Sequence, residues 1–173
     1  NRTLAAGVKL RSVITDDGDG KALFHSASTA ALQRRFVATA RAALLKCGCD
    51  GIEFDYEGPD SNDQADAFTD FLVALKAAVG PEHVVSADIS DDSDFPYVNP
   101  KRPGFHSIDF LNVMTYYWDE KGSIDRYAKS AAQLEQWGYP MAKINLGVPY
   151  YCSQESAWGE VEGGCPNVAE DLN

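Results

Sequence analysis

The chain has 173 residues, of which 26 are acidic and 15 basic, and its formal net charge is −11 at pH 7. A chain of this length can bury one hydrophobic core and is most simply one domain. The negative charge argues against nucleic acid as a partner. Apolar residues make up 45%, which is too many for disorder, and no apolar run approaches the ~18 residues of a membrane span. The first residues resemble neither a signal peptide nor a methionine start, so we interpret the chain as a mature or trimmed piece.

The first strand is predicted over residues 8–14. The polar turn at 15–20 that follows it suggests a calcium loop, but it lacks the spaced ligands and closing Glu of an EF-hand, so we predict no metal site there. A helix is predicted from Ser28 or Thr29 to about residue 46, because apolar residues recur at spacings of three and four. Gly48 is a typical C-terminal stop. The predicted buried stripe of this helix is Leu32, Phe36, Val37, Ala40, Leu44 and Leu45.

The remaining elements continue the alternation of strands and helices. The acidic run at 49–57 has the period of two that is typical of a strand, and a second helix runs from the turn at 58–63 to about residue 79. Its inward-facing residues are predicted to be Ala67, Phe68, Phe71, Leu72 and Leu75. Further strands are predicted at 83–90, 108–117 and 143–150, and a third helix at 124–137. Pro96, Pro100 and Pro103 leave little room for a long helix between the third and fourth strands.

Strands that alternate with helices predict an α/β fold with a parallel sheet. The spacing suits a (β/α)8 TIM barrel, in which active-site residues lie at the C-terminal ends of the strands. The acids near the end of the second strand lie where that rule places catalytic residues.

The acidic run has two opposite faces, since successive side chains of a strand alternate. Ile52, Phe54 and Tyr56 share one face, and Glu53, Asp55 and Glu57 share the other. A surface strand with its acids in water would show the same pattern. The flanking helices, however, predict a strand that is covered on both faces, where three neighbouring carboxylates are costly. Asp55 and Glu57 would lie roughly 6.5–7 Å apart, close enough for coupled protonation, so we favour a functional role.

The run also resembles a known signature. Asp50, Glu53, Asp55 and Glu57 are similar to the Asp-x-x-Asp-x-Asp-x-Glu motif of glycoside hydrolase family 18, the chitinases and their relatives. Glu53 is a departure, because the family normally has Asp there. The first strand keeps Ser12 but lacks the two glycines of the family's Ser-x-Gly-Gly.

Two later stretches add to the resemblance. Residues 111–116 resemble the family's sixth-strand Asn-x-Met-x-Tyr, and Asn112, Met114 and Tyr116 share one strand face. Plain strand packing is the alternative reading of this pattern. Tyr117 stands where the family often has Asp. Residues 146–151 resemble the seventh-strand Leu-Gly-x-Pro-x-Tyr, with Tyr151 at the matching tyrosine.

The resemblance implies that residues 1–173 form a partial catalytic domain that covers about strands three to seven of the family's barrel. The first two strands and the eighth would be missing. Such a barrel would expose sheet edges and an apolar interior. Other segments or chains are therefore expected as partners that complete it.

The resemblance implies hydrolysis of β-1,4-linked N-acetylglucosamine polymers with retention of configuration, assisted by the substrate's own acetamido group. Glu57 is expected to be the general acid and base, and burial and neighbouring acids would help it hold its proton. Asp55 would bind the acetamido N–H, Glu53 would share a proton with Asp55, and Tyr116 would contact the acetamido group. Substrate-binding roles are expected for Met114, Tyr117, Trp118 and Tyr151.

Other functions stay open. A chitinase-like lectin usually lacks the acid at the position of Glu57, which this chain keeps. An endo-β-N-acetylglucosaminidase resembles the family at the same strand but cuts N-glycans, and a structural role within a larger assembly is a further alternative. His25, His83 and His106 are scattered, and no phosphate loop or Gly-x-Ser-x-Gly is present. We therefore predict neither a cofactor nor a metal ion.

The four cysteines give information on the cellular location of the protein. Cys47 and Cys49 are judged too close for a mutual bridge, whereas a Cys152–Cys165 bridge would contribute about 3 kcal/mol in the loop-entropy model. The alternative is that all four are reduced and buried. With the glycosylation sequon at Asn1, the cysteines favour an extracellular or lumenal protein.

Overall fold

The structure, a computed structural model, describes residues 7–15, 29–56, 58–91, 93–115 and 124–147. Within these ranges five strands form one parallel sheet in sequence order, each strand pairing with the next. The strands are β1 (Arg11–Thr15), β2 (Gly51–Asp55), β3 (Val84–Ile89), β4 (Phe110–Val113) and β5 (Ile144–Leu146), and the helices are α1 (Ala30–Cys47), α2 (Asn62–Val79) and α3 (Ile124–Trp137). The predicted alternation is confirmed. The predicted parts of the second, fourth and fifth strands at 57, 116–117 and 148–150 lie outside the described residues.

Helix α1 begins and ends as predicted. The Thr29 side chain caps it by accepting a hydrogen bond from the backbone N–H of Leu32, and Gly48 ends it at φ 64°, a conformation that glycine adopts without strain. The predicted buried stripe is too wide, however, because Leu32 and Leu45 are 42% and 49% exposed. Only the centre of the stripe, at Ala40 and Leu44, is fully buried, since these residues lie in the core while the flanking leucines do not.

The core lies between the helices and the outer face of the sheet. Helix α2 starts at its N-cap Ser61 and buries most of its predicted face, although Ala67 is only half-buried. Phe71 stacks on Phe36 at 4.8 Å between ring centroids and meets Phe54 edge-on at 5.0 Å. Burial of aromatic side chains in such pairs is among the larger stabilising contributions in a core. Because Phe54 is buried against the helices, the opposite face of β2 points away from them.

The proline-containing connection between β3 and β4 holds no long helix within its described part, as expected. It contains a single short 3-10 turn, Phe105–Ser107. Arg102 forms ion pairs with Asp66 and Asp70 of α2, and the Asn99 amide donates to Asp66 at 2.6 Å. These contacts attach the connection to the outside of α2.

The prediction about the first cysteine pair is wrong. Cys47 and Cys49 form a disulfide across a separation of two residues, with their Cα atoms 5.3 Å apart. That distance lies within the normal range for disulfides. The pair is possible because α1 ends at Cys47 and the left-handed Gly48 folds the chain back on itself. Cys152 and Cys165, which the sequence analysis considers as a bridge, lie outside the described residues.

Strand β1 is an edge of the described sheet. It pairs with β2 on one side, and Val8, Leu10 and Val13 are exposed. This agrees with the expectation that a partial barrel exposes a sheet edge and apolar side chains. No helix in the described part of the chain is long and apolar enough to cross a membrane.

Candidate active site

The two faces of β2 differ as the sequence predicts. Ile52, Phe54 and Tyr56 are almost completely buried against the helices. Glu53 and Asp55 point to the opposite face and are partly exposed. In a barrel this face is the lumen, and we call it the lumen face.

The register of the sheet brings polar residues of three strands together on the lumen face. Glu53 lies beside Ser86, and Asp55 lies beside Asp88. Asp88 in turn lies beside Asn112 of β4. Paired residues of adjacent strands point to the same side at a strand spacing of about 4.8 Å. The result is a continuous polar patch across β2, β3 and β4.

One oxygen of Glu53 is the centre of this patch. Its Oε2 lies 2.7 Å from Arg11 Nη1 and accepts hydrogen bonds from Ser86 Oγ at 2.8 Å and Asn112 Nδ2 at 2.9 Å. The Glu53 side chain is only 12% exposed. A cation and two neutral donors therefore converge on this one oxygen and hold the Glu53 side chain in place.

Asn112 connects two of the acids. Its Nδ2 donates to Glu53 at 2.9 Å and to Asp88 Oδ1 at 3.0 Å, while its Oδ1 accepts a hydrogen bond from Asn145 Nδ2 at 3.1 Å. The contact with Asn145 orients the amide so that its NH2 group faces both carboxyls. Asn112, predicted to share the lumen face, is therefore a fixed donor between two acids.

Asp88 is an acid of the patch whose pKa is raised well above its usual value. Burial and the negative charges of Glu53 and Asp55 raise its pKa, and the net value is about 6. The hydrogen bond from Asn112 and the charge of Arg11 act in the opposite direction. A carboxyl with such a pKa changes charge in the range where general acid–base chemistry operates.

The predicted site residues fall into two groups. The structure brings Glu53 and Asp55 together on the lumen face, and Met114 is buried directly after β4. The other predicted site residues lie outside the described part of the chain: Glu57, Tyr116, Tyr117, Trp118 and Tyr151.

Sequence reasoning did not single out Asp88 or Arg11. The alternation Ser86-Ala87-Asp88 inside a predicted strand was a usable signal, since it puts a charged residue on a face that a parallel sheet normally keeps apolar. Arg11, at the start of β1, had no comparable signal, because an arginine in a strand commonly reaches solvent.

Asp50, the first acid of the motif, lies at the amino end of β2. Its carboxylate accepts hydrogen bonds from Lys9 Nζ at 2.8 Å and from the backbone N–H of Leu10 at 2.9 Å. These contacts hold the pKa of Asp50 below its usual value. Asp50 thus links β2 to the segment before β1.

Among the described residues, no group of three histidine, cysteine or acidic side chains is arranged to hold a metal ion. The lumen acids are instead contacted by Arg11, Ser86 and Asn112. The chemistry that this patch can perform is proton transfer and the stabilisation of positive charge.

Parallel strands that pair in sequence order, with helices between them, are the arrangement found in (β/α)8 barrels. The sequence matches the family model of glycosyl hydrolases family 18 over residues 2–164. The chain belongs to this family. A search of curated proteins finds no match.

Several solved structures have the same fold. A family 18 chitinase from Cycas revoluta, in complex with (GlcNAc)3, is 23% identical with a TM-score of 0.67, and the alignment covers 84% of this chain and 50% of that one. The group II chitinase catalytic domain 2 of Ostrinia furnacalis is 20% identical with a TM-score of 0.68, and the coverage is 86% and 47%. The class V chitinase of Nicotiana tobaccum is 17% identical with a TM-score of 0.69, and the coverage is 84% and 49%.

The likeness in fold confirms the predicted (β/α)8 barrel architecture. The chain spans about half the length of these solved structures. Its five described strands in sequence order match a continuous part of such a barrel.

Proposed function

We propose that the intact protein hydrolyses β-1,4-linked N-acetylglucosamine polymers, chitin or chitooligosaccharides, with retention of configuration and with Glu57 as general acid and base. The observation that carries the proposal is the position of Glu53 and Asp55. Both lie on the lumen face of a strand whose other face is buried in the core, within a chain that matches glycosyl hydrolases family 18.

Asp55 supports the proposal by its surroundings. It lies at the C-terminal end of β2 beside Asp88 and is partly exposed to the lumen. A carboxylate in that position can accept a hydrogen bond from a sugar acetamido N–H and stabilise the positive charge that develops as the acetamido oxygen attacks the anomeric carbon. We therefore assign Asp55 the role of orienting the acetamido group.

Glu57 follows Asp55 by two positions in the sequence, with the alternation of the acidic run. In the proposed mechanism its carboxyl proton passes to the glycosidic oxygen as the bond to the anomeric carbon breaks. The carboxylate then takes a proton from the water that opens the oxazolinium ion, which restores the starting state. Tyr116 would contact the acetamido group, and Met114, Tyr117, Trp118 and Tyr151 would line the sugar site.

Carbohydrate as ligand is supported by the names of two similar proteins. The chitinase of Cycas revoluta has been crystallised with (GlcNAc)3, and a class V chitinase of Nicotiana tobaccum with NAG4. Both are below 25% identical to this chain. Their ligands therefore support a carbohydrate substrate for this protein only as part of our proposal.

The test measures dye release from a chitobioside substrate by the wild type and by Glu57→Gln. We expect the variant to lose about 10²–10⁴-fold in kcat, because it has no proton to donate, and to keep its affinity for chitotetraose in calorimetry. Glu135→Gln is the matched control, since Glu135 is exposed on α3. Full activity of Glu57→Gln would contradict the mechanism.

The same two measurements, together with a glycoprotein and chitin as further substrates, separate the alternatives. A wild type that binds chitotetraose but releases no dye is a chitinase-like lectin. A wild type that releases glycans from a glycoprotein and leaves chitin intact is an endo-β-N-acetylglucosaminidase.

An extracellular or lumenal location is part of the proposal, and the Cys47–Cys49 disulfide supports it because disulfides persist in oxidising compartments.

A further inference from the structure

The departure of Glu53 from the family motif has a structural counterpart on the lumen face. The resemblance assigns to this position the carboxyl that shares a proton with Asp55. To do so, the carboxyl must change protonation easily and must face Asp55. The contacts of Glu53 and Asp88 differ in both respects.

Glu53 is held in place by a cation and two neutral donors. Its Oε2 pairs with Arg11 at 2.7 Å and accepts from Ser86 and Asn112. The Arg11 guanidinium lies over the Phe110 ring, 4.7 Å from its centroid, so the cation is itself held in place. Protonation of Glu53 would leave a half-buried guanidinium without its charge partner, which is costly.

Asp88 occupies the complementary position. It is the direct neighbour of Asp55 in the register of β2 and β3, whereas Glu53 is two residues away from Asp55 along the same strand. The groups that face Asp88 are Glu53 and Asp55 from β2, Asn112 from β4 and Arg11 from β1. Two of these groups are negative, so a proton on Asp88 relieves repulsion on the lumen face.

We propose that Asp88, and not Glu53, is the carboxyl that shares a proton with Asp55. In each exchange one O–H bond of Asp88 breaks and one O–H bond of Asp55 forms, and the pair keeps a single negative charge. Asp88 acts through Asp55 and does not touch the sugar, so it is a positioning residue. Its use in catalysis rests on the proposed function, but the sharing of the proton does not.

The proton-sharing is tested without activity. In the intact protein, the side-chain carboxyl carbons of aspartate and glutamate are followed by ¹³C NMR as the pH changes. Burial and the neighbouring negative charges raise the pKa of Asp88 to about 6. We therefore expect the Asp88 and Asp55 signals to shift together in coupled steps, one of them near pH 6. Asp88→Asn should change the Asp55 titration. Signals of Glu53 and Asp55 that shift together while Asp88 is silent would overturn the proposal.

The catalytic consequence is tested by the pH dependence of kcat/KM. The wild type should lose activity with an apparent pKa near 6 as the pH rises, because Asp88 then loses the proton that it shares. In Asp88→Asn this alkaline limb of the pH profile, the loss of activity near pH 6, should be absent. The variant should also have a lower kcat, about tenfold at pH 5, since an amide cannot transfer the proton. Glu53→Gln should keep the limb. A limb that persists in Asp88→Asn and vanishes in Glu53→Gln would overturn the proposal.

The two tests distinguish failures of the two proposals. A wild type without hydrolytic activity whose Asp88 and Asp55 signals titrate together refutes the proposed function and supports the proton-sharing. An active wild type whose Asp88 and Asp55 signals titrate independently supports the proposed function and refutes the proton-sharing. Glu135→Gln, on the exposed side of α3, should reproduce the wild type in both measurements.

Discussion

The acids at the amino ends of the strands and the acids on the lumen face have different surroundings. Asp50 and Asp109 each accept hydrogen bonds from a lysine and a backbone N–H. On the lumen face Arg11 pairs with Glu53, and its charge also lowers the pKa of Asp88, which lies beside Asp55. The first set is neutralised in pairs and joins segments of the chain, whereas the second retains excess negative charge that proton transfer can use.

The largest loss of stability is expected for the acids at the amino ends of the strands. Asp109 Oδ2 accepts from the Val85 N–H at 2.7 Å and lies 2.8 Å from Lys76 Nζ. Asp109→Ala leaves a largely buried ammonium with only the His83 carbonyl, at 2.6 Å, as a described partner. We expect the free energy of unfolding to fall by about 2–3 kcal/mol, measured by urea denaturation at pH 7.

Asp50→Ala is the matched control, because Asp50 has the same kinds of partners but its lysine, Lys9, is 81% exposed, whereas Lys76 is 12% exposed. Its effect on unfolding should be clearly smaller. An equal loss in both variants would show that burial of the lysine does not determine the cost of removing its acid. The wild-type pH dependence of kcat/KM should persist in both variants, since neither carboxylate contacts the lumen acids.

A smaller loss of stability is expected when Arg11, the cation of the lumen face, is replaced. Arg11→Met removes the ion pair with Glu53 and should lower the free energy of unfolding by about 1–2 kcal/mol at pH 7, because the pair is partly exposed. Loss of the positive charge should also raise the pKa of Asp88 above about 6. Urea denaturation and ¹³C titration measure the two changes. The exposed Arg34→Met serves as control, and an unchanged Asp88 titration would contradict the expectation.

The smallest effect on stability, with the opposite sign, is expected for Asp88→Asn. Because folding raises the pKa of Asp88 from 3.8 to about 6, the native state loses stability as the pH rises through this range. Asp88 is only partly buried, so solvent screening limits the effect. The variant should be more stable than the wild type by about 1 kcal/mol above pH 6 and equal to it below pH 4.

Urea denaturation at pH 4 and pH 7.5 measures this difference. Glu135→Gln should show no such pH dependence. A variant that is less stable than the wild type at pH 7.5 would show that the ionised Asp88 stabilises the fold. The lumen face would then resemble the amino ends of the strands, and the comparison between the two sets of acids would fail.

Local patterns in the sequence determined the elements and the two faces of β2. The caps at Thr29 and Ser61 and the stop at Gly48 depend on residues within one helical turn, and the alternation of Ile52 and Glu53 depends on neighbours along one strand. Such signals can be read without a structure. The motif residues Glu53 and Asp55 were found in the same way.

Only the tertiary structure decided which acids meet. The Arg11–Glu53 pair joins residues of β1 and β2, and Asp88 reaches Asp55 through the register of β2 and β3. The exposure of Leu32 and Leu45 likewise follows from how far α1 overlaps the core, and the Cys47–Cys49 disulfide depends on the backbone at Gly48. A charge pair or a protonation state depends on distances between segments that are far apart in sequence, and the register of the sheet sets those distances.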